Sequence, residues 1–304
     1  MKKKVFVLMV SFPLAISLVQ NLLECELRPA LLVTNSPFYV EKKSILKLGI
    51  FRSIAGFLKF TFVFLFRKNK YGIYFLAKRN SIKVFPAQLV NTDRCEHSIK
   101  KLNPDFIFVF AFPILKEKIF KIPKYGTINC HPSLLPQNKG ATPWNWQFHV
   151  DGQMSGITFH YITKKIDGGP IIDQYKIPLS GFENSTVLRE YLFSLIARLY
   201  VRLIYKFFLG EIGVFNKSLK NESSYFRPFS MSDSIISPDE NQESLELKIK
   251  AAGVATFKIF GNEYKIIDNI RLQNFGPDKC PYELNGDIVY KTVDGKVNLL
   301  IAQK

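Results

Sequence analysis

Three polar side chains in this sequence have the types and spacing of a proton-transfer site. Asn129 and His131 stand two residues apart in the run Asn129-Cys130-His131-Pro132-Ser133-Leu134-Leu135-Pro136. On an extended strand, residues two apart face the same side. Asp167, in Asp167-Gly168-Gly169, follows the next strand-like segment. An Asn donates hydrogen bonds, a His acts as acid or base, and an Asp orients the His or takes up a proton. Such a trio can stabilise an oxyanion and move protons without a covalent nucleophile. Cys130 reads as a buried strand side chain, because nothing nearby marks an activated thiolate. His160 reads as structural support, and His97 and His149 as surface or structural residues. The sequence contains no cluster with metal-ligand spacing, so no metal is expected. It also lacks a GxGxxG, a P-loop and an HExxH.

The elements that must hold this trio alternate over the first two hundred residues. Val5–Val10 reads as a strand, Pro13–Glu24 as a helix and Ala30–Thr34 as a strand. Lys83–Phe85 is a short strand candidate, and Asp93–Leu102 suits a helix. Asp105–Ala111 is a fully apolar strand, and the strand Gly126–Cys130 ends at the Pro-rich loop that carries His131. Gly156–Ile162 alternates as a strand does. Asn184–Leu209 is a long helix, with Asn184 or Ser185 at its start and Gly210 just past its end. Apolar strands alternating with helices imply an α/β fold, a doubly wound, mostly parallel sheet. Such sheets bind ligands beyond the carboxyl ends of their strands. After Gly210 the composition changes. Asn216–Ser237 is polar and reads as a linker. From Leu245, short alternating segments are separated by Gly261-Asn262, Asn285-Gly286 and Asp294-Gly295. Asp294-Gly295 is a good hairpin signal. The expected organisation is a catalytic domain over 1–212, a linker over 213–237 and a small β-rich, barrel-like domain over 238–304.

Composition narrows the class. The chain has 304 residues, of which 47% are hydrophobic and 22% charged, which excludes a disordered chain. Four cysteines without CxxC spacing fit a reducing compartment rather than a disulfide scaffold. The net charge is +17, and residues 1–80 carry 14 Lys/Arg against 3 Asp/Glu. A basic field of this size suits nucleic acid, anionic lipid or a phosphorylated substrate, or reflects a Lys-rich composition throughout. Lys2–Lys4 before Val5–Val10 imitates a signal peptide, but Ser11-Phe12-Pro13 breaks the apolar run, and a strand followed by a helix explains it better. Ser53–Phe66 is too short to span a bilayer, which needs ~20 apolar residues. It reads as a buried helix, or as a basic, Phe-rich helix lying on a membrane surface.

The motifs in order resemble a family. Asn129-x-His131-x-Ser133-Leu134-Leu135-Pro136, then Gly140 and Pro143, then Gly156-Ile157-Thr158 and Asp167-Gly-Gly-Pro170, are similar to the folate-dependent formyltransferases. The likeness covers roughly residues 1–210. A weaker one, through Lys248–Gly253 and the hairpin over Asn285–Ala302, extends to the small carboxy-terminal domain of the longer members. The resemblance implies transfer of a formyl group from 10-formyltetrahydrofolate to an amine. It implies that Asn129 holds the formyl oxygen, that His131 stabilises the tetrahedral intermediate, and that Asp167 pairs with His131 and assists proton transfer. It matches Phe110, Ala111, Phe112, Pro113, Ile114 and Leu115 to one wall of the pterin site. Thr163, Lys164 and Asp167, in the loop to Gly168, match the other wall. At some members' counterpart of His160 a His also stands. Trp144 and Trp146 pack, or line the acceptor pocket.

Three acceptors follow from the resemblance: a nucleotide-linked amino sugar, the aminoacyl end of initiator tRNA, and glycinamide ribonucleotide. The carboxy-terminal β domain speaks against the last, although Asp167-Gly-Gly-Pro170 looks more like it. The net charge suits tRNA. The Phe-rich stretch Ser44–Phe75 departs from the tRNA enzyme and suits work near a membrane on surface polysaccharide precursors such as those of lipopolysaccharide O-antigen. The sugar nucleotide is therefore the expected acceptor. The expected setting is cytoplasmic, with a peripheral membrane contact and a homodimer left open. A non-catalytic folate-binding or membrane-associated module is the alternative from another class; it would fit loss of Asn129, His131 or Asp167, and all three are present.

Overall fold

The structure is a computed structural model, and it describes residues 4–11, 14–35, 68–149, 153–211, 223–237, 239–259, 262–272 and 281–302. Most of the Phe-rich basic stretch Ser44–Phe75, including all of Ser53–Phe66, lies outside the described residues. No described helix is long and apolar enough to cross a membrane.

The apolar runs become strands in the order the sequence predicts. The first part contains β1 (Phe6–Val10), α1 (Leu14–Glu24), β2 (Leu31–Thr34), α2 (Lys68–Arg79), β3 (Lys83–Pro86) and α3 (Asp93–Leu102). It continues with β4 (Phe106–Phe110), α4 (Glu117–Phe120), β5 (Thr127–His131), β6 (Lys139–Gly140), α5 (Pro143–His149), β7 (Met154–Tyr161), β8 (Ile171–Pro178) and α6 (Ser185–Leu209). Seven strands form one sheet in the order β3-β2-β1-β4-β5-β7-β8. The pairs β3–β2, β2–β1, β1–β4 and β4–β5 are all parallel. The observed strand β5 includes His131, one residue beyond the predicted end. Two caps explain helix starts: Thr92 accepts from the Cys95 amide at α3, and Asn184 accepts from the amides of Thr186 and Val187 at α6.

Close contacts divide the chain into two compact units. The first comprises 1–131, 159–173 and 195–217, and the second 132–158, 174–194 and 218–304, with β7 and β8 cut by the division.

In the first unit the pleat sends alternate strand residues to opposite faces. Val7, Met9, Ile107 and Val109 join Cys95, Ile99, Leu115 and Ile119 in one buried cluster. The other face is aromatic. Phe6 meets Phe108 and Phe208, Phe106 stacks with Phe108 and packs 4.6 Å from Phe207, and Phe159 lies 5.0 Å from Tyr200. Seven of the chain's 28 Phe residues meet on this face. Rings at these edge and offset geometries add to what their buried area contributes.

The second unit holds a six-stranded sheet. Its strands are β10 (Ile235–Ile236), β11 (Ala255–Ile259), β12 (Asn262–Leu272), β13 (Tyr282–Leu284), β14 (Asp287–Lys291) and β15 (Val297–Ala302), in the order β10-β11-β12-β15-β14-β13. All pairs are antiparallel except β10–β11. The Asp294-Gly295 turn joins β14 to β15, as the sequence predicts. Two features differ from the reading of the sequence. Residues 242–252 form a helix, α7 (Gln242–Ala252), because Asn241 caps it by accepting from the Ser244 amide and Leu245 and Ile249 enter the core. Part of the polar stretch Asn216–Ser237 is strand: β9 (Tyr225–Phe226) pairs with β6, and β10 pairs with β11. The hydrogen bond that seats this stretch is invisible in its composition. Trp146 donates its indole N–H to the Arg227 carbonyl at 2.7 Å while its ring stacks on Phe226.

Phe108, fully buried in the aromatic layer, is the position that tests the layer. Phe108→Ala should lower stability by about 3–5 kcal/mol, read by urea unfolding. A loss below about 1 kcal/mol would contradict close packing there.

Candidate active site

Asn129 and His131 leave β5 on one face, and Asp167 comes to them from the loop after β7. The Asp167 carboxylate lies 3.6 Å from His131 Nδ1 through one oxygen and 3.6 Å from His160 Nε2 through the other. All three are shielded: His131 is 4% exposed and His160 2%, and the Asp167 side chain is 12% exposed. All of these residues belong to the first unit.

His160, read from the sequence as structural support, stands beside both Asn129 and Asp167. Its Nδ1 lies 2.9 Å from the Tyr161 carbonyl oxygen, which can only accept, so Nδ1 carries the proton. In the neutral ring Nε2 then accepts, and the Asn129 amide nitrogen stands 3.1 Å away as donor. One amide hydrogen of Asn129 is spent on His160, and the second is left to serve another acceptor. His160 thereby decides which way the Asn129 amide faces.

Two backbone features make room for this. Asp167 has φ 46°, a left-handed conformation that Asp tolerates better than most side chains. Gly169 passes so close to β7 that a Cβ there would sit 1.9 Å from the Tyr161 carbonyl oxygen. That is the oxygen to which His160 donates. The Gly in Asp167-Gly-Gly thus protects the position of His160, a role its neighbours in sequence do not disclose.

Beside the trio lies a cavity of about 160 Å³. One wall is Phe112, Pro113, Ile114 and Leu115, the other Thr163, Lys164, Lys165, Ile166 and Asp167, with Val109, Asn129, His160 and Ile162 also lining it. A space this small, below the ~300–1,000 Å³ of whole-ligand pockets, has room for a flat ring system rather than an extended molecule. Glu117 Oε2 pairs with Lys164 Nζ at 3.0 Å, linking the helix after one wall to the other wall. Lys121 and Lys164 together hold the Glu117 carboxyl below its usual range.

Two residues expected on the first wall are placed elsewhere. Phe110 is buried in the aromatic layer, 6.5 Å from the Tyr200 ring, because Val109 faces the cavity and the pleat sends its neighbour to the other side. Ala111 is the exposed turn residue after β4, with φ 47°, and does not line the cavity. Cys130 is buried, which pushes its thiol well above the ordinary range. It has the character of a packed side chain, not of a nucleophile. Trp144 and Trp146 pack in the second unit, against Phe193 and Phe226. His97 is exposed, and burial lowers the pKa of His149. No three His, Cys, Asp or Glu among the described residues are grouped to hold a metal ion.

A family model described as "Formyl transferase" matches residues 64–204. The methionyl-tRNA formyltransferase of Sulfurihydrogenibium sp. is 31% identical over 238 residues, which span 75% of this chain and 76% of that protein. The chain belongs to the formyl transferase family. The bifunctional polymyxin resistance protein ArnA of Wigglesworthia glossinidia brevipalpis is 40% identical over 111 residues, 36% of this chain and only 17% of that longer protein. Among solved structures, an N-formyltransferase from Helicobacter canadensis, in complex with folinic acid and dTDP-3-aminofucose, superposes with a TM-score of 0.68. It is 19% identical, with 99% of this chain and 100% of that one covered, so the likeness shows the fold.

Two measurements check this geometry. Gly169→Ala should destabilise the protein by about 1–3 kcal/mol, the range for overpacking; unchanged denaturant unfolding would mean that the strand has room. Under iodoacetamide at pH 8, Cys25 is exposed and should label, whereas buried Cys95 and Cys130 should stay unlabelled in the native protein. Fast labelling of Cys130, read by peptide mass spectrometry, would contradict its burial.

Proposed function

We propose that this chain transfers a formyl group from 10-formyltetrahydrofolate to the amine of a nucleotide-linked amino sugar. The observation that carries the transfer chemistry is the Asp167 carboxylate held at 3.6 Å from two imidazoles, beside Asn129 and a narrow cavity. In this reading the pterin enters between Phe112–Leu115 and Thr163–Asp167. The acceptor amine arrives neutral, because an ammonium has no lone pair, and attacks the formyl carbon. The remaining amide hydrogen of Asn129 and the protonated ring of His131 stabilise the oxyanion. Asp167 favours the charged His131 and takes part in moving the amine's proton to N10 of the folate. The new C–N bond forms, the bond from the formyl carbon to N10 breaks, and tetrahydrofolate leaves. No covalent enzyme intermediate is needed, in keeping with a Cys130 that stays a thiol.

For the acceptor, one observation supports an amino sugar. The Helicobacter canadensis protein, whose structure holds a dTDP-linked amino sugar, matches this chain along nearly its whole length, the small carboxy-terminal sheet included. We place the reaction in the cytoplasm. The second reading, transfer to initiator methionyl-tRNA, is favoured by the 31% identity to a methionyl-tRNA formyltransferase and by the net charge of +17.

A formyl-transfer assay with dTDP-linked amino sugars in one series and charged initiator tRNA in the other separates them. Turnover with a sugar nucleotide alone is the expected result. Turnover with tRNA alone would retain the chemistry and overturn the acceptor. Asn129→Ala, His131→Ala and Asp167→Ala should each lower kcat by about 10²–10³ with the fold intact. Near-normal rates in these variants would overturn the assignment of the trio.

A further inference from the structure

A second cavity, of about 700 Å³, opens next to the narrow one within the first unit. It has the size of a whole-ligand pocket, ~300–1,000 Å³. The two cavities share Thr163, Lys164 and Lys165 as a common wall, but Asn129, His160 and Asp167 line only the narrow one. Four lysines, Lys121, Lys124, Lys164 and Lys165, face one carboxylate there, that of Glu117. Among the described residues no other charged side chain lines the space. One oxygen of Glu117 pairs with Lys121 and the other lies 3.0 Å from Lys164. An ammonium has three hydrogens, so both lysines keep donors for a ligand. Lys124 lies 4.7 Å from the centre of the Tyr125 ring, a contact that leaves its charge in place. Lys165 has no ion-pair partner among the described residues. Tyr161 brings a phenol to the same wall. Its ring lies against Gly126, where a Cβ would sit 3.0 Å from two ring carbons.

Lysines gathered around one hollow repel one another, and a bound anion relieves that repulsion. Lysine is a compact point charge, whereas arginine is a planar fork. Four lysines without an arginine suit tetrahedral oxygens, which spread their charge in several directions. A phosphate monoester carries about −1.5 to −2 at pH 7 and three acceptor oxygens. We propose that this cavity is a second ligand site, which takes a phosphate-bearing small molecule by its phosphate. A nucleoside diphosphate and a phospholipid headgroup share that chemistry. The folate's own carboxylates fit less well. With N10 beside Asn129 and Asp167, the pterin fills the narrow slot that adjoins this cavity, and the tail leaves N10 on the side away from the pterin. The inference does not depend on formyl transfer, because it rests on groups outside the trio.

The test is calorimetric titration of the full chain with inorganic pyrophosphate. Lys121 and Lys124 stand outside the narrow cavity, and each would donate a charge-assisted hydrogen bond. The double variant Lys121→Gln with Lys124→Gln should therefore bind pyrophosphate at least tenfold more weakly. Glu117→Gln should bind it at least threefold more tightly. The control is Lys176→Gln with Lys291→Gln, which removes the same charge from exposed positions in the second unit and should stay within twofold of wild type. No saturable binding, or an equal loss in both double variants, would overturn the site. Affinity for 10-formyltetrahydrofolate should stay within twofold in Lys121→Gln with Lys124→Gln. A tenfold loss there would give the cavity to the folate tail and overturn the proposal. Displacement of pyrophosphate by dTDP would support a free nucleotide. Cosedimentation with phosphatidic acid vesicles, lost in the same double variant, would support a lipid headgroup.

Discussion

A carboxylate held between two imidazoles is the constraint on which this site depends. Asp167 lies at 3.6 Å from His131 and from His160, nearly out of reach of water. A shielded carboxylate is costly unless partners favour its charged form. With His160 Nε2 accepting from Asn129, the ring that can favour the charge is His131, so the carboxylate is accommodated where β5 and the loop after β7 converge. The left-handed backbone of Asp167 and the close passage of Gly169 against β7 are the local concessions that let them do so. The same arrangement then orients Asn129 through His160.

The sheet supplies the rigidity this requires. Four parallel strand pairs place β4 and β5 side by side, with aliphatic packing on one face and aromatic packing on the other. Parallel strands buried on both faces tolerate few polar side chains. The exceptions cluster near the carboxyl end of β5, which is where open α/β sheets place their ligands. Tyr200 is such an exception on the rear face, where its hydroxyl donates to the Val109 carbonyl of β4.

The cavity is formed by segments with little structure of their own. Phe112–Leu115 and Thr163–Asp167 are connections, and Ile114 is 73% exposed on one wall. Apolar side chains left open at the rim of a narrow slot are a common mark of a binding site for a flat ligand. Their exposure is the counterpart of the tightly packed strand ends from which the two walls leave.

By itself the sequence determined the alternation of strands and helices, the parallel sheet and the closing hairpin at Asp294-Gly295, and it singled out Asn129, His131 and Asp167, which the fold brings to one place. Apolar runs, caps and the two-residue period carry that information locally. Only the tertiary structure decided that His160 joins the trio, that Phe110 and Ala111 stand off the cavity while Phe112–Leu115 line it, and that Gly169 guards a carbonyl. It alone made 242–252 a helix against the second sheet and set Tyr200 behind β4. A period of two says that neighbours face opposite ways; it does not say which face meets the ligand. His160 is thirty-one residues from Asn129 and Tyr200 ninety-one from Val109. Contacts at that separation are set by which strands pair and which helix crosses beneath them, and no local pattern in the chain records it.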